Sequence, residues 1–349
     1  MLTSDFDYEL PERLIAQEPA KKRPESKMMV LNRKEQTIEH KHFFDIVDYL
    51  TENDVLVLNN TKVIPARLFG QKSTGANIEV FLLKNRGNKQ WEALIKPGKR
   101  VNSATLVKIS DELTVKAIEP QESGKWLVEL IFDGDENYIY ELLNKVGNVP
   151  LPPYIERKLG SEKLKTLDYK RYQTVFAKNA GSVAAPTAGL HFSKDILSQL
   201  RKKGVQICYV TLDVGLGTFR PVKCDEITEH KMDEETFKIS AHTAKIINDA
   251  KAAGKNIVAV GTTSVRTLET AYQKYGKIKK CSDSSRLFIY PPYEFKVVDK
   301  IITNFHLPKS TLVMLVSAFA GKDFVFEAYQ KAIENEYRFY SYGDCMFIS

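Results

Sequence analysis

Between Ala184 and Phe192 the chain reads Ala-Ala-Pro-Thr-Ala-Gly-Leu-His-Phe, and only Thr187 and His191 carry polar side chains there. Three alanines, Pro186 and Gly189 leave so little bulk that a small molecule can approach the backbone closely. Ser193 is a plausible N-cap for a helix through Asp195, Leu197 and Leu200, which puts His191 beside the free N–H donors of a helix entrance. The same residues also suit a tightly packed turn with a core histidine. A second stretch, Gly261-Thr262-Thr263-Ser264-Val265-Arg266, opens another helix. Its N–H groups and hydroxyls suit a phosphate or carboxylate, although it is neither a P-loop nor a dinucleotide fingerprint, and an ordinary capped connection is the competing reading. A third, Asn304-Phe305-His306-Leu307, offers an amide and an imidazole on one face of a strand end, and Arg338 lies among aromatics suited either to base stacking or to a core edge.

The elements that must position these groups follow from periodicity. Asp54 to Leu58 reads as a buried strand ending in Asn59-Asn60-Thr61-Lys62, a place where α/β folds put ligand sites and where an Asn-rich turn is equally at home. Before it come a strand over Lys27 to Leu31 and a helix around Phe43 to Leu50. Helix 193 to 203, strand 205 to 214, helix 241 to 253, strand 257 to 260 and a helix from about 262 to 275 form α/β units, with Gly204 and Gly254 as stops. Residues 68 to 150 differ: Ile78 to Leu83, Trp91 to Ile95, Thr105 to Ile109, Leu113 to Ile118 and Trp126 to Phe132 are short strands with no helix between them. They predict a small closed β-barrel, and Val149-Pro150-Leu151-Pro152-Pro153 marks its exit. The expected fold is thus a discontinuous α/β domain, 1–67 and 151–349, carrying an inserted barrel at 68–150.

At 349 residues and 43% hydrophobic content the chain is long enough for two domains. A net charge of +7 permits a polyanionic partner, with basic residues scattered at Lys21 to Arg23, Arg67, Arg201 to Lys203 and Lys277 to Lys280. Cys208, Cys224, Cys281 and Cys345 form no close pair, so neither a metal site nor a disulfide framework is expected, and the chain reads as intracellular. The longest apolar run, Thr311 to Ala320, is too short to cross a bilayer and reads as a core helix or strand.

The nine residues from Ala184, together with Val210-Thr211-Leu212-Asp213-Val214-Gly215-Leu216-Gly217-Thr218-Phe219-Arg220-Pro221-Val222, resemble the signature of the S-adenosylmethionine:tRNA ribosyltransferase-isomerase family of queuosine synthesis. Asn59 to Arg67, Thr303 to Ser310 and Glu336 to Asp344 are similar to further landmarks, so the resemblance spans the chain. It implies an α/β domain interrupted by a barrel. It also implies transfer of the ribosyl part of S-adenosylmethionine to 7-aminomethyl-7-deazaguanine in the tRNA anticodon loop, giving epoxyqueuosine with loss of adenine and methionine. S-adenosylmethionine is then a consumed substrate, no tightly bound cofactor or metal is needed, and a cytoplasmic monomer away from membranes is expected. Such chemistry needs a base beside the sulfonium and an acid for adenine. The resemblance places His191, His306 and Asp213 in these roles. It places Asn60, Thr61, Arg67, Pro186, Thr187, Gly189, Phe192, Gly215, Gly217, Thr218, Arg220, Gly261, Thr262, Thr263, Arg266 and Asn304 around the substrates.

Three positions depart from the family pattern: Asn60 stands for an Asp, Asp213 for a His, and His230-Lys231-Met232-Asp233 lacks a second His. Asp213 and Asp233 are therefore alternative carboxylate bases, with His230 a third histidine candidate. Two other readings stay open: a divergent S-adenosylmethionine-dependent transferase with another acceptor, and a tRNA-binding protein without catalysis. Calorimetry with S-adenosylmethionine and product analysis on defined tRNA separate them.

Overall fold

The computed structural model describes residues 1–157, 162–215 and 221–349. The chain begins with β1 (Lys27–Asn32), β2 (Thr37–His42), the short α1 (Ile46–Tyr49), β3 (Asp54–Asn59) and β4 (Thr61–Val63). Six strands follow: β5 (Arg67–Gln71), β6 (Asn77–Gly87), β7 (Gln90–Lys96), β8 (Leu106–Lys108), β9 (Thr114–Pro120) and β10 (Lys125–Ile131). They close into an antiparallel barrel in the order β10-β7-β6-β5-β8-β9. Alternation explains it: Ile78, Val80 and Leu82 point inward from β6 against Trp91, Ala93 and Ile95 of β7. Arg67, placed by sequence at the end of the α/β segment, is the first residue of β5.

After the barrel come α2 (Tyr138–Val146), α3 (Glu162–Arg171), β11 (Asn179–Ser182), α4 (Lys194–Lys202), β12 (Gln206–Leu212), β13 (Glu235–Ile239) and α5 (Ala241–Ala252). The last elements are β14 (Asn256–Val260), α6 (Thr262–Tyr275), β15 (Cys281–Ser285), β16 (Lys300–Asn304), α7 (Thr311–Ala320), α8 (Lys322–Glu334) and β17 (Cys345–Ile348). Through Ile139, Leu142 and Leu143, α2 packs on the barrel core.

Nine strands form the main sheet, ordered β15-β13-β12-β3-β14-β16-β17-β1-β2. Its centre, β12-β3-β14-β16, is parallel, and β3 is buried along its whole length, as the Val-Leu-Val-Leu run requires. Parallel neighbours bring the C-terminal ends of β3, β12, β14 and β16 to one edge, where α/β sheets hold their ligands. The caps follow the sequence: Ser193 Oγ accepts from Ile196 N at 3.2 Å, Ser240 Oγ from Thr243 N at 3.0 Å, and Ser310 Oγ from Val313 N at 3.3 Å. Among the described residues no helix is long and apolar enough to cross a membrane; the apolar run Thr311–Ala320 is α7.

Candidate functional site

At the C-terminal edge of the parallel strands lies a cleft that opens to solvent. The small-residue stretch supplies Pro186 and Thr187, flanked by Ala185 and Ala188; the start of α6 supplies Gly261, Thr262 and Thr263; the end of β16 supplies Asn304 and His306. Three stretches far apart in sequence thus form one wall. Gly261 has φ 83°, a left-handed conformation that lets the chain turn from β14 directly into α6. Ser310 and Leu312 bring the start of α7 to the same space, so two helix entrances with unpaired N–H groups open on it. Tyr154, Phe305 and Tyr340 add aromatic surface, and among the described residues no charged side chain lines the cleft.

The two histidines do not share this space equally. His306 lies two residues beyond the end of β16, so strand alternation does not place it. It is held instead by Nε2 against Thr303 Oγ1 at 2.8 Å and by its N–H donating to Tyr329 Oη at 3.0 Å. His191 closes the 3-10 turn Thr187–His191 but faces away from the cleft lining. Its Nδ1 lies 2.7 Å from Ser26 Oγ and its ring packs on Phe43, while the Asn304 amide approaches it from the cleft side. His191 Nε2 and Asn304 Oδ1 are both buried without a hydrogen bond of normal geometry. Burial pushes both imidazoles down to about 3; for His191 the Asn304 contact opposes this, and the smaller effects of Arg338 and Arg23 add to it. Burial thus favours the neutral form of both rings at neutral pH.

Asp213 occupies a second centre, just past the end of β12. Thr61 Oγ1 donates to its Oδ1 at 2.8 Å and Thr236 Oγ1 to its Oδ2 at 3.4 Å. Burial raises its carboxyl above the usual range, with the two hydroxyls opposing. Asn60 Oδ1 accepts from Thr211 Oγ1 at 2.7 Å and from Asn179 Nδ2 at 3.1 Å, so its amide oxygen is a double acceptor here. Val214, the next residue after Asp213, lines the cleft.

The link between the two centres is Asn59, which sequence reasoning passed over inside its own motif. Its Oδ1 accepts from Thr61 N and Leu212 N, both at 3.1 Å, and its Nδ2 donates to Leu212 O at 3.0 Å and Thr263 Oγ1 at 3.3 Å. One buried amide thereby ties β3, β12 and the start of α6 together. The only signal for it was its place at the end of an apolar strand.

Other expected site residues are elsewhere. Arg266 is buried, with Nη2 2.5 Å from Glu235 Oε2, while Gly215 N donates to Glu235 Oε1 at 3.0 Å; the arginine anchors the Gly215 turn and not the cleft. Arg67 pairs with Glu79 at 3.1 Å on the barrel, beside the Phe81 ring. Phe192 is core, edge-on to Phe43 at 4.8 Å, and a Cβ on Gly189 would come within 2.9 Å of both Phe176 and Thr174, so these two positions serve packing. Asp233 is exposed, and His230 packs on Phe288. Gly217, Thr218 and Arg220 lie outside the described residues. Among the described residues no group of three or more His, Cys, Asp or Glu is placed to hold a metal ion, and all four cysteines are free thiols.

Comparison with known proteins gives a consistent result. The sequence profile of a family described as queuosine biosynthesis protein matches residues 3–348. A protein of Sulfurihydrogenibium sp. (strain YO3AOP1) named S-adenosylmethionine:tRNA ribosyltransferase-isomerase is 54% identical over 349 residues, covering 100% of both chains. One of the same name from Thermosipho melanesiensis is 51% identical over 348 residues, again covering 100% of both. The crystal structure of an S-adenosylmethionine tRNA ribosyltransferase from Thermotoga maritima, 38% identical, superposes with a TM-score of 0.56 over 99% of this chain and 100% of that one.

Proposed function

The chain belongs to the queuosine biosynthesis protein family, and from that premise we propose that it is an S-adenosylmethionine:tRNA ribosyltransferase-isomerase. The observation that carries this is kinship over the entire length, barrel included, at an identity that leaves no domain unmatched. Its partners are tRNA and S-adenosylmethionine. In the finer reading, the acceptor is 7-aminomethyl-7-deazaguanine in the anticodon loop, and the product is epoxyqueuosine with release of adenine and methionine. S-adenosylmethionine is consumed and not retained as a cofactor, and the enzyme works as a cytoplasmic monomer.

The cleft suits the sulfonium substrate in two ways. Aromatic faces of Tyr154, Phe305 and Tyr340, with no cation in the lining among the described residues, favour a positively charged sulfur. The entrances of α6 and α7 favour the carboxylate of its methionine part. For the proton beside the sulfonium, Asp213 is the side chain we assign as base: above its raised pKa it is an ionised acceptor, and desolvation makes it a stronger base than an exposed aspartate. Thr61 and Thr236 hold its two oxygens, and Asn59 holds the turn on which it sits. His306, neutral in the cleft wall, orients through Thr303.

The test is mass spectrometry of a defined tRNA bearing 7-aminomethyl-7-deazaguanine after incubation with enzyme and S-adenosylmethionine. Epoxyqueuosine should appear with one adenine and one methionine per turnover. Binding of both substrates with no change in tRNA mass would overturn the reading.

A further inference from the structure

Behind His191, on the side away from the cleft, three arginines meet around a small pocket that opens to solvent. They come from unrelated places: Arg23 from the 3-10 turn before β1, Arg171 from the last turn of α3, and Arg338 from the loop before β17. Backbone carbonyls hold the guanidinium groups in place. Arg23 donates to Leu190 O at 3.0 Å and Gln173 O at 2.7 Å, Arg171 to Ala20 O at 2.7 Å, and Arg338 to Glu18 O at 3.2 Å.

Carbonyl dipoles orient a guanidinium but do not neutralise it. Among the described residues neither Arg23 nor Arg171 has a carboxylate within ion-pair distance. Arg338 reaches Asp344 only at 3.5 Å, and that carboxylate already accepts from the N–H groups of Lys27 and Arg338 at 2.9 and 2.8 Å. Arg171 Nε is buried with no hydrogen-bond partner. Partly buried positive charge without a counterion is unfavourable, and Arg23 and Arg171 concentrate it here. Burial and the Arg171 charge together pull Arg23 down to about 10, the mark of cations crowded together. Planar guanidinium groups fit tetrahedral oxyanions through paired N–H donors.

We propose that the Arg23–Arg171–Arg338 pocket is a phosphate site, filled in the working enzyme by one phosphate group of the tRNA backbone. This rests on the transferase reading, because Ser341 lines both this pocket and the cleft and so sets the distance between them at one side chain. A phosphate docked here fixes the register of an RNA strand whose neighbouring nucleotide enters the cleft, and carries no base specificity of its own. The same chemistry recognises free phosphate, so the experiment separates the two sources.

Two variants serve. Arg171→Gln removes one cation, and Ala20→Glu sets a carboxylate at the pocket wall beside Arg171 while leaving all three arginines in place. tRNA affinity is measured across a salt series, and melting temperature is measured with inorganic phosphate replacing chloride at fixed ionic strength. Both variants should melt like the wild type in chloride, bind tRNA roughly 3- to 10-fold more weakly, and show a salt slope smaller by about 0.7 to 0.9, the loss of one phosphate contact. If phosphate raises the melting temperature of the wild type alone while all three proteins share one tRNA salt slope, the site stands as one for free phosphate. Unchanged slopes in a folded variant together with no phosphate effect on the wild type overturn the proposal. Should Arg171→Gln fail to fold, Ala20→Glu and the wild-type phosphate titration still decide. A wild type that binds no tRNA refutes the transferase reading, and the phosphate measurement then judges the pocket alone.

Discussion

His191 and His306 are 4% and 8% exposed, and both are held near 3 against an ordinary value of 6.5. A depressed histidine means the folded state binds fewer protons than the unfolded chain, so the contribution to stability is intact above 6.5 and is lost as the pH falls towards 3. At pH 5 the unfolded histidine is protonated about thirty to one while the folded one is neutral, a difference of about 1.5 pH units or about 2 kcal/mol per residue. The pair should therefore remove about 4 kcal/mol between pH 7 and pH 5, a large share of the stability of an ordinary domain. Urea midpoints at the two pH values, converted through a common slope, measure this for the wild type, His191→Gln and His306→Gln. The glutamine amides can still meet Ser26 and Thr303. Each variant should lose about 2 kcal/mol less than the wild type on acidification. Parallel pH curves, or an imidazole titrating near 6.5 by NMR, would refute the reasoning. The same protonation state has a kinetic side: with about one His191 in 10⁴ charged at pH 7, the acid limb of kcat should not move in His191→Gln.

Asp213→Asn should keep the Thr61 bond and give up the weaker Thr236 one, lowering kcat by ~10²-fold or more. Because burial raises this carboxyl, wild-type stability should decline relative to the variant as the pH rises from below the usual carboxyl range through the raised value, and a melting series across that range checks the sign. Arg266→Met removes one partner of the buried Arg266–Glu235 pair and should destabilise the fold in urea unfolding, with Glu235→Leu in the same chain restoring part of it; an unaffected single variant would contradict a stabilising pair. Chelator should leave turnover unchanged, and loss of activity that one divalent metal restores would show a metal requirement.

What was legible in the sequence was local. Ser193 and Ser240 cap helices where a hydroxyl precedes an amphipathic run, and Ile78, Val80 and Leu82 give away a barrel strand by alternation. The strands that escaped are those whose partners decide them. β2, Thr-Ile-Glu-His-Lys-His, is an edge strand with Ile38 as its one apolar residue, and β15, Cys-Ser-Asp-Ser-Ser, pairs among the described residues with β13 alone. β17 exists because β1 and β16 flank it. The site divides along the same line. Pro186, Thr187, Gly261 to Thr263, Asn304 and His306 converge because each follows a parallel strand or precedes a helix at one sheet edge. Whether an arginine or histidine within those motifs faces the cleft depends on a distant partner: Glu235 for Arg266, Ser26 for His191, Glu79 for Arg67.

Asp213 shows how a departure from a family pattern is accommodated. Its carboxylate accepts from two hydroxyls on different strands, and Gly181, which a Cβ would bring to 3.1 Å from both carboxylate oxygens, leaves it room. A neutral imidazole offers one acceptor nitrogen, so a histidine in this setting would leave either Thr61 or Thr236 to find another acceptor, and its larger ring would press on the Gly181 backbone. The two threonines, the glycine and the aspartate form a set that fits a carboxylate. That setting is the structural support for Asp213 as the proposed base, alongside the buried imidazoles of His191 and His306.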